Sequence, residues 1–154
     1  MADVLSLHVA SFNCRGYNII KRKYIRSVLS KVSVLFLQEV WLSDGQMQEL
    51  ANIDDHFLFT VRSGFDNSEV LTGRPYGGVA ILWRSDLAAS ITVIDTNSKR
   101  VCAVRMVCPP CYAPVYRSAI RTNGNDFLLN TSSFILSSNN LTYLLIWIKY
   151  QLYN

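Results

Sequence analysis

The sequence predicts an α/β fold built on a parallel strand pair, and three features of its first half carry that expectation. Val4, Leu5, Leu7, Val9 and Ala10 form an apolar run leading to Asn13, and Val32 to Leu37, broken only by Ser33, leads to Glu39. Near-continuous apolar runs of this kind suit strands covered on both faces. Between them Tyr24, Ile25, Val28, Leu29 and Val32 recur at helical spacing, opposite Arg22, Lys23, Arg26 and Lys31. Strand, helix and strand within the 26 positions separating Asn13 from Glu39 make a right-handed crossover unit. The two strands then run parallel, and both polar residues fall at carboxyl ends, where open parallel sheets place their ligand crevice.

The remaining elements follow in order. Ser43 with Gln46 reads as a capping box for a short helix carrying Met47 and Leu50, weakened by Gly45. His56 to Arg62 is a strand candidate. The Gly77-Gly78 pair suits a tight turn into a buried strand running to Trp83. Ser90 to Asp95 and Val101 to Val107 flank the turn-rich Thr96-Asn97-Ser98-Lys99 and predict a hairpin. From about Asn123 the composition shifts to interleaved Asn and Ser, then to the apolar Leu141 to Tyr153. The expected organisation is therefore a partial domain over residues 1–122 and, over 123–154, a loosely packed tail that does not belong to it.

Asn13 and Glu39 are the residues most suited to chemistry. Glu39 offers a carboxylate oxygen of the kind Mg²⁺ prefers, and Asn13 an amide able to orient a metal-bound water or meet a phosphate oxygen. Taken singly, Glu39 is an ordinary strand-end carboxylate and Asn13 a turn residue before Gly16. At crossover spacing, within Asn-Cys-Arg-Gly and Leu-Gln-Glu-Val-Trp, they point together to a site.

Three stretches carry a resemblance: Ser11-Phe12-Asn13-Cys14-Arg15-Gly16, Phe36-Leu37-Gln38-Glu39-Val40-Trp41, and Gly73-Arg74-Pro75-Tyr76-Gly77-Gly78-Val79-Ala80-Ile81-Leu82. Over roughly residues 5 to 107, reaching toward Pro114, the chain resembles the endonuclease/exonuclease/phosphatase superfamily. It is most similar to the endonuclease domain of non-LTR retrotransposons, itself similar to apurinic/apyrimidinic endonucleases and DNase I. The resemblance implies the N-terminal portion of a two-sheet α/β sandwich of the DNase I-like type, incomplete at its C-terminus. It implies a phosphodiester hydrolase acting on DNA with Mg²⁺, or Mn²⁺ as a substitute. Glu39 would be the metal ligand, with Asn13 beside it in the active site and as a second metal-facing group. Tyr112-Ala113-Pro114 resembles a further motif that would add Tyr112 to the catalytic set, although Pro109 and Pro110 interrupt the strand leading to it. Arg74 and Tyr76, in a loop of the third stretch, are candidates for substrate contact, and Arg15 either meets a phosphate near Asn13 or simply fixes the turn.

The chain also departs from that pattern. The family continues through a Gly-Asp-Phe-Asn motif and a late Asp-His pair. Here the only acidic residue after Asp95 is Asp126, in the unrelated context Gly124-Asn125-Asp126-Phe127, and the two histidines are His8 and His56. His8 reads as a strand residue with a local hydrogen-bond partner, and His56 as a solvent-facing residue beside Asp54 and Asp55. A chain cut short, and catalytically incomplete, is the expectation. A noncatalytic nucleic-acid-binding or interaction fragment is the alternative.

Composition sets the remaining bounds. Fifteen basic against 11 acidic residues give a net charge of +4 and a pI near 9.0, a mild preference for polyanions such as DNA. The Leu141 to Ile148 run is interrupted by Lys149 and is far below the ~20 apolar residues a membrane helix needs. A strand, a docking helix or an aggregation-prone end is expected there. No signal peptide is evident, because Asp3 and His8 punctuate the first run. Cys14, Cys102, Cys108 and Cys111 are too few and too irregular for a disulfide scaffold, so thiols in an intracellular compartment, nuclear or cytoplasmic, and no disulfide-linked partner are expected. Cys108-Pro109-Pro110-Cys111 leaves a redox pair as a third reading, opposed by Pro114, which would disturb the helix that such pairs open.

Overall fold

The computed structural model describes residues 5–65, 77–108, 112–116, 131–138 and 141–149. The predicted crossover is present: β1 (Leu5–Asn13), α1 (Ile19–Leu29) and β2 (Val34–Gln38) form one unit, with β1 and β2 parallel and Asn13 in register with Gln38. Asn18 starts α1 because its Oδ1 accepts from the amides of Ile20 and Lys21, at 3.1 and 2.9 Å. The helix ends at Ser30, whose N–H returns to the Arg26 carbonyl. Ile25 and Leu29 of the predicted stripe are buried. Tyr24 is instead 39 % exposed, its ring tilted against Phe12 at 5.0 Å, and Val32 lies beyond the helix end.

The segment Asp44–Asn52 winds as a 3₁₀ helix rather than an α-helix. Gln46 Oε1 accepts from the Ser43 amide at 3.3 Å and its hydroxyl at 3.1 Å, so the predicted capping pair forms. β3 (Phe57–Arg62) and β4 (Val79–Arg84) are antiparallel to each other, and β4 runs antiparallel to β2. A second 3₁₀ segment, Ser85–Ser90, leads to the predicted hairpin of β5 (Ile91–Ile94) and β6 (Val101–Cys108). Then come β7 (Tyr112–Tyr116), β8 (Thr131–Ser138) and β9 (Leu141–Lys149).

Two sheets result, ordered β3-β4-β2-β1-β7 and β5-β6-β9-β8, the mixed α/β two-sheet architecture that was expected. Pro109 and Pro110 lie outside the described residues, and Pro114 lies in β7, an edge strand, where a missing amide is tolerated. The Leu141 to Ile148 run is a strand, β9, antiparallel to β6. Within the 123–154 segment, β8 and β9 join the second sheet, whereas the expected loose packing of that segment concerns side chains outside the described residues.

Period-2 alternation sorts the core. Leu7, Val9, Val34, Phe36, Val79, Ile81 and Trp83 face the second sheet and meet Cys102, Val104 and Met106 of β6. Ala10, Phe12, Leu35, Leu37, Ala80 and Leu82 face the other way, against Ile25 and Leu29 of α1 and against Leu50 and Ile53. The first sheet is thus covered on both faces, which is why its strands read as continuous apolar runs. No helix among the described residues is long and apolar enough to cross a membrane.

Candidate active site at the carboxyl edge of β1 and β2

The inner faces of β1 and β2 turn polar at their carboxyl ends. Above Val9 and Phe36, Gln38 Nε2 donates to Ser11 Oγ at 2.8 Å, and both residues are buried. Further along, two residues past Ser11 and one past Gln38, Asn13 Nδ2 donates to Glu39 Oε1 at 3.0 Å. Arg15 N–H donates to Asn13 Oδ1, also at 3.0 Å. The Asn13 amide is therefore held from both ends, which settles its orientation. Among the described residues, the hydrogen-bond partner of the Glu39 carboxylate is Asn13, on Oε1.

The chain continues past the strands as a zipped loop pair. Cys14, Gly16 and Tyr17 amides donate to the carbonyls of Gln38, Glu39 and Val40, each at 2.8 Å. Val40 and Trp41 amides then donate to the Gly78 and Gly77 carbonyls at 3.3 and 3.0 Å. Six residues in these loops hold positive φ: Arg15 (45°), Gly16 (87°), Glu39 (49°), Trp41 (56°), Gly77 (73°) and Gly78 (80°). Positive φ in non-glycine residues costs about 1–2 kcal/mol each and gathers at functional sites, where surrounding contacts hold it. Here the inter-loop hydrogen bonds hold Glu39 in a conformation that turns its side chain onto Asn13.

Lys21, which sequence reasoning passed over, fastens the first loop from α1: its Nζ donates to the Arg15 and Gly16 carbonyls, both at 2.8 Å. A lysine one helical turn after a capped glycine loop was the available signal. Its ammonium also lies near Cys14, whose thiol is buried under the loop. Burial pushes that thiol from its ordinary 9.0 up to about 12, opposed by Lys21 and aided by Glu39. Cys102, donating to the Val79 carbonyl at 3.4 Å, is likewise raised by burial to about 12. Raised thiol values mean that the stability these residues contribute is complete below pH 9 and falls as pH rises toward about 12, because only unfolded thiols ionise in that window. In the native protein at neutral pH, Cys14 and Cys102 should stay unreacted with an aromatic disulfide reagent and react once urea is added. Rapid native-state labelling of Cys14 would contradict the burial described.

The other candidates stand elsewhere. Tyr112 pairs with Leu5, eight residues down β1 from Asn13, because parallel pairing sets the start of β7 beside the start of β1. Its backbone therefore lies at the amino edge, roughly 26 Å along the strand at 3.3 Å per residue, and is not brought to the Asn13–Glu39 pair. Arg74, Tyr76, Asp126 and Cys111 lie outside the described residues, as does the side chain of Cys108. Arg15 is exposed in the first loop, immediately beside Asn13.

A profile of the endonuclease/exonuclease/phosphatase family matches residues 10–147, and the chain belongs to that family. The match runs past the 5–107 stretch in which motifs were legible and into β9. A search of curated proteins returns no match. Members of the family commonly use divalent metals, and the donors here can be compared with that chemistry. Among the described residues no group of three or more His, Cys, Asp or Glu is gathered to hold a metal ion. The Glu39 carboxylate is a hard oxygen donor, which suits Mg²⁺ retaining most of its own waters and not a soft or protein-enclosed ion.

Proposed function

We propose that this chain carries the Asn–Glu half of a Mg²⁺-dependent phosphodiesterase site of the non-LTR retrotransposon endonuclease type, with DNA as its substrate class, and that the 154-residue chain alone does not turn DNA over. The observation that carries this reading is the 3.0 Å contact of Asn13 Nδ2 with Glu39 Oε1, held at the carboxyl edge of parallel strands by the zipped loops. Glu39 would hold Mg²⁺ (Mn²⁺ serving as a substitute), which when bound supplies positive charge to the phosphate and the leaving oxygen. Asn13 acts on Glu39: with its own oxygen on the Arg15 amide, it fixes one carboxylate oxygen and leaves the other for the ion. Asn13 is then a positioning residue, not a direct ligand. Arg15 stands where it can meet a phosphate next to the pair. The Asp and His that the family resemblance calls for have no counterpart in this sequence, and Tyr112 stands apart at the amino edge.

Metal binding tests this reading without requiring turnover. Titration with Mn²⁺ followed by electron paramagnetic resonance should show one weak site, weakened at least about tenfold in Glu39→Gln and roughly tenfold in Asn13→Ala, where the carboxylate is left unoriented. Equal binding by wild type and Glu39→Gln would remove Glu39 from the site. The single gathered carboxylate among the described residues favours, as the second reading, a noncatalytic nucleic-acid-binding fragment; it would bind duplex DNA unchanged by Glu39→Gln and with no metal site.

A further inference from the structure

Both histidines of the chain, 48 positions apart, line one cleft of about 660 Å³ at the amino edge of β1 and β2, opposite the Asn13–Glu39 pair. Ser33 builds its floor: its N–H donates to the His8 carbonyl at 2.7 Å, its Oγ accepts from the His8 amide at 3.3 Å, and its carbonyl accepts from the Arg84 amide at 3.0 Å. Ser85 N–H donates to the His56 carbonyl at 2.8 Å. Four chain segments distant in sequence are thus locked around the cavity by backbone bonds. Its size is that of a small-molecule site, and Val32 and Phe57 give it a half-buried apolar wall.

The charged and titratable groups facing the cleft are Lys31 from the end of α1, His8 from β1, His56 from the start of β3, and Arg84 and Asp86 from the end of β4. Asp86 is taken: both its oxygens pair with the Arg84 guanidinium, through Nε at 3.1 Å and through Nη2. Asp54, next to His56, is taken by the His56 amide at 2.9 Å and by Arg26 at 3.9 Å. The negative end of α1 is closed as well, since the Arg26, Val28 and Leu29 carbonyls accept from the amides of Ser30, Lys31 and Val32. Lys31 is exposed, and neither its ammonium nor either imidazole has a described partner. What remains unspent in the cleft is donor capacity.

We propose that this cleft is a second binding site, for a phosphate monoester, with Lys31 and the two imidazoles on the phosphate and the Val32–Phe57 wall against the body that carries it. The site is independent of the proposed endonuclease function, sharing no residue with the Asn13–Glu39 pair. Because His8 and His56 are the only histidines, their ring proton signals in a nuclear magnetic resonance spectrum report the cleft alone. Inorganic phosphate and a nucleoside monophosphate should each shift both signals saturably in the wild type, the nucleotide at lower concentration if the apolar wall contributes. In Lys31→Glu, whose exposed position leaves the fold intact, the affinity should fall roughly tenfold or more, the effect of losing one charge-assisted contact and reversing its sign. Saturable shifts lost in Lys31→Glu support the site. Shifts absent in wild type, unchanged in Lys31→Glu, equal with the uncharged nucleoside, or produced only by Zn²⁺ would overturn it, the last by showing a histidine metal site in its place.

Discussion

Purified protein is expected to leave supercoiled DNA and an abasic-site duplex uncut in Mg²⁺ or Mn²⁺. Glu39, oriented by Asn13 at 3.0 Å, can help place a metal on a phosphate. In-line hydrolysis also needs a base for the attacking water and donors aimed at the developing charge. Losing one such donor typically costs about 10²–10³ in rate, and losing the base a further ~10²–10⁴. The chain has only Asp126 as an acidic residue after Asp95, and both of its histidines line the opposite edge of the sheet. The combined deficit of at least about 10⁴-fold should put nicking below detection. Glu39→Gln is the control. Robust Mg²⁺-dependent nicking abolished by that substitution would refute catalytic incompleteness, and nicking equal in both proteins would trace to a contaminant.

The second large effect is on stability. Gly16 holds φ +87° with the Trp41 indole standing where a side chain would go, and a methyl group there would press on Trp41 Cε3 and lie 2.9 Å from Cζ3. Gly16→Ala should therefore lose about 1–2 kcal/mol to left-handed backbone strain and a further ~1–3 kcal/mol to displacement of the indole. Against a typical total of about 5–15 kcal/mol that is a severe loss. Because Gly16 N–H and the Glu39 carbonyl zip the two loops, the Asn13–Glu39 contact should loosen with it. Urea unfolding measures the loss, and a double mutant separates its parts. In a Trp41→Ala background the clash is gone, so the penalty of Gly16→Ala should drop to the backbone term alone. An undiminished penalty in that background would show that Trp41 does not enforce the glycine.

The Asn13–Glu39 meeting was legible because it needs only chain direction. A helix between two apolar runs forces a right-handed crossover, parallel strands carry their C-termini to one edge, and residues ending each strand meet there. The family profile over residues 10–147 spans both of their motifs. What Asn13 does there was not legible. Its role depends on the Arg15 amide occupying its oxygen, and so on a loop bent through positive φ at Arg15 and Gly16. Lys21 as the clamp of that loop carried only a weak signal, its place one turn after the glycine loop, because a lysine on a basic helix face normally serves solvation.

By itself the sequence determined the local periods: that the runs before Asn13 and Glu39 become strands with a helix between them, where the glycine pair turns the chain, and hence that Asn13 and Glu39 share an edge. Those features arise from contacts within a turn or a crossover, whose physics is written in neighbouring residues. Only the tertiary structure decided what depends on register between distant segments. It set Tyr112 beside Leu5, brought β9 onto β6, and drew His8, Lys31, His56 and Arg84 around one cleft. A shift of a single residue in strand pairing would move every side chain to the opposite face, and no local pattern encodes that choice, because it is made by the packing of both sheet faces at once.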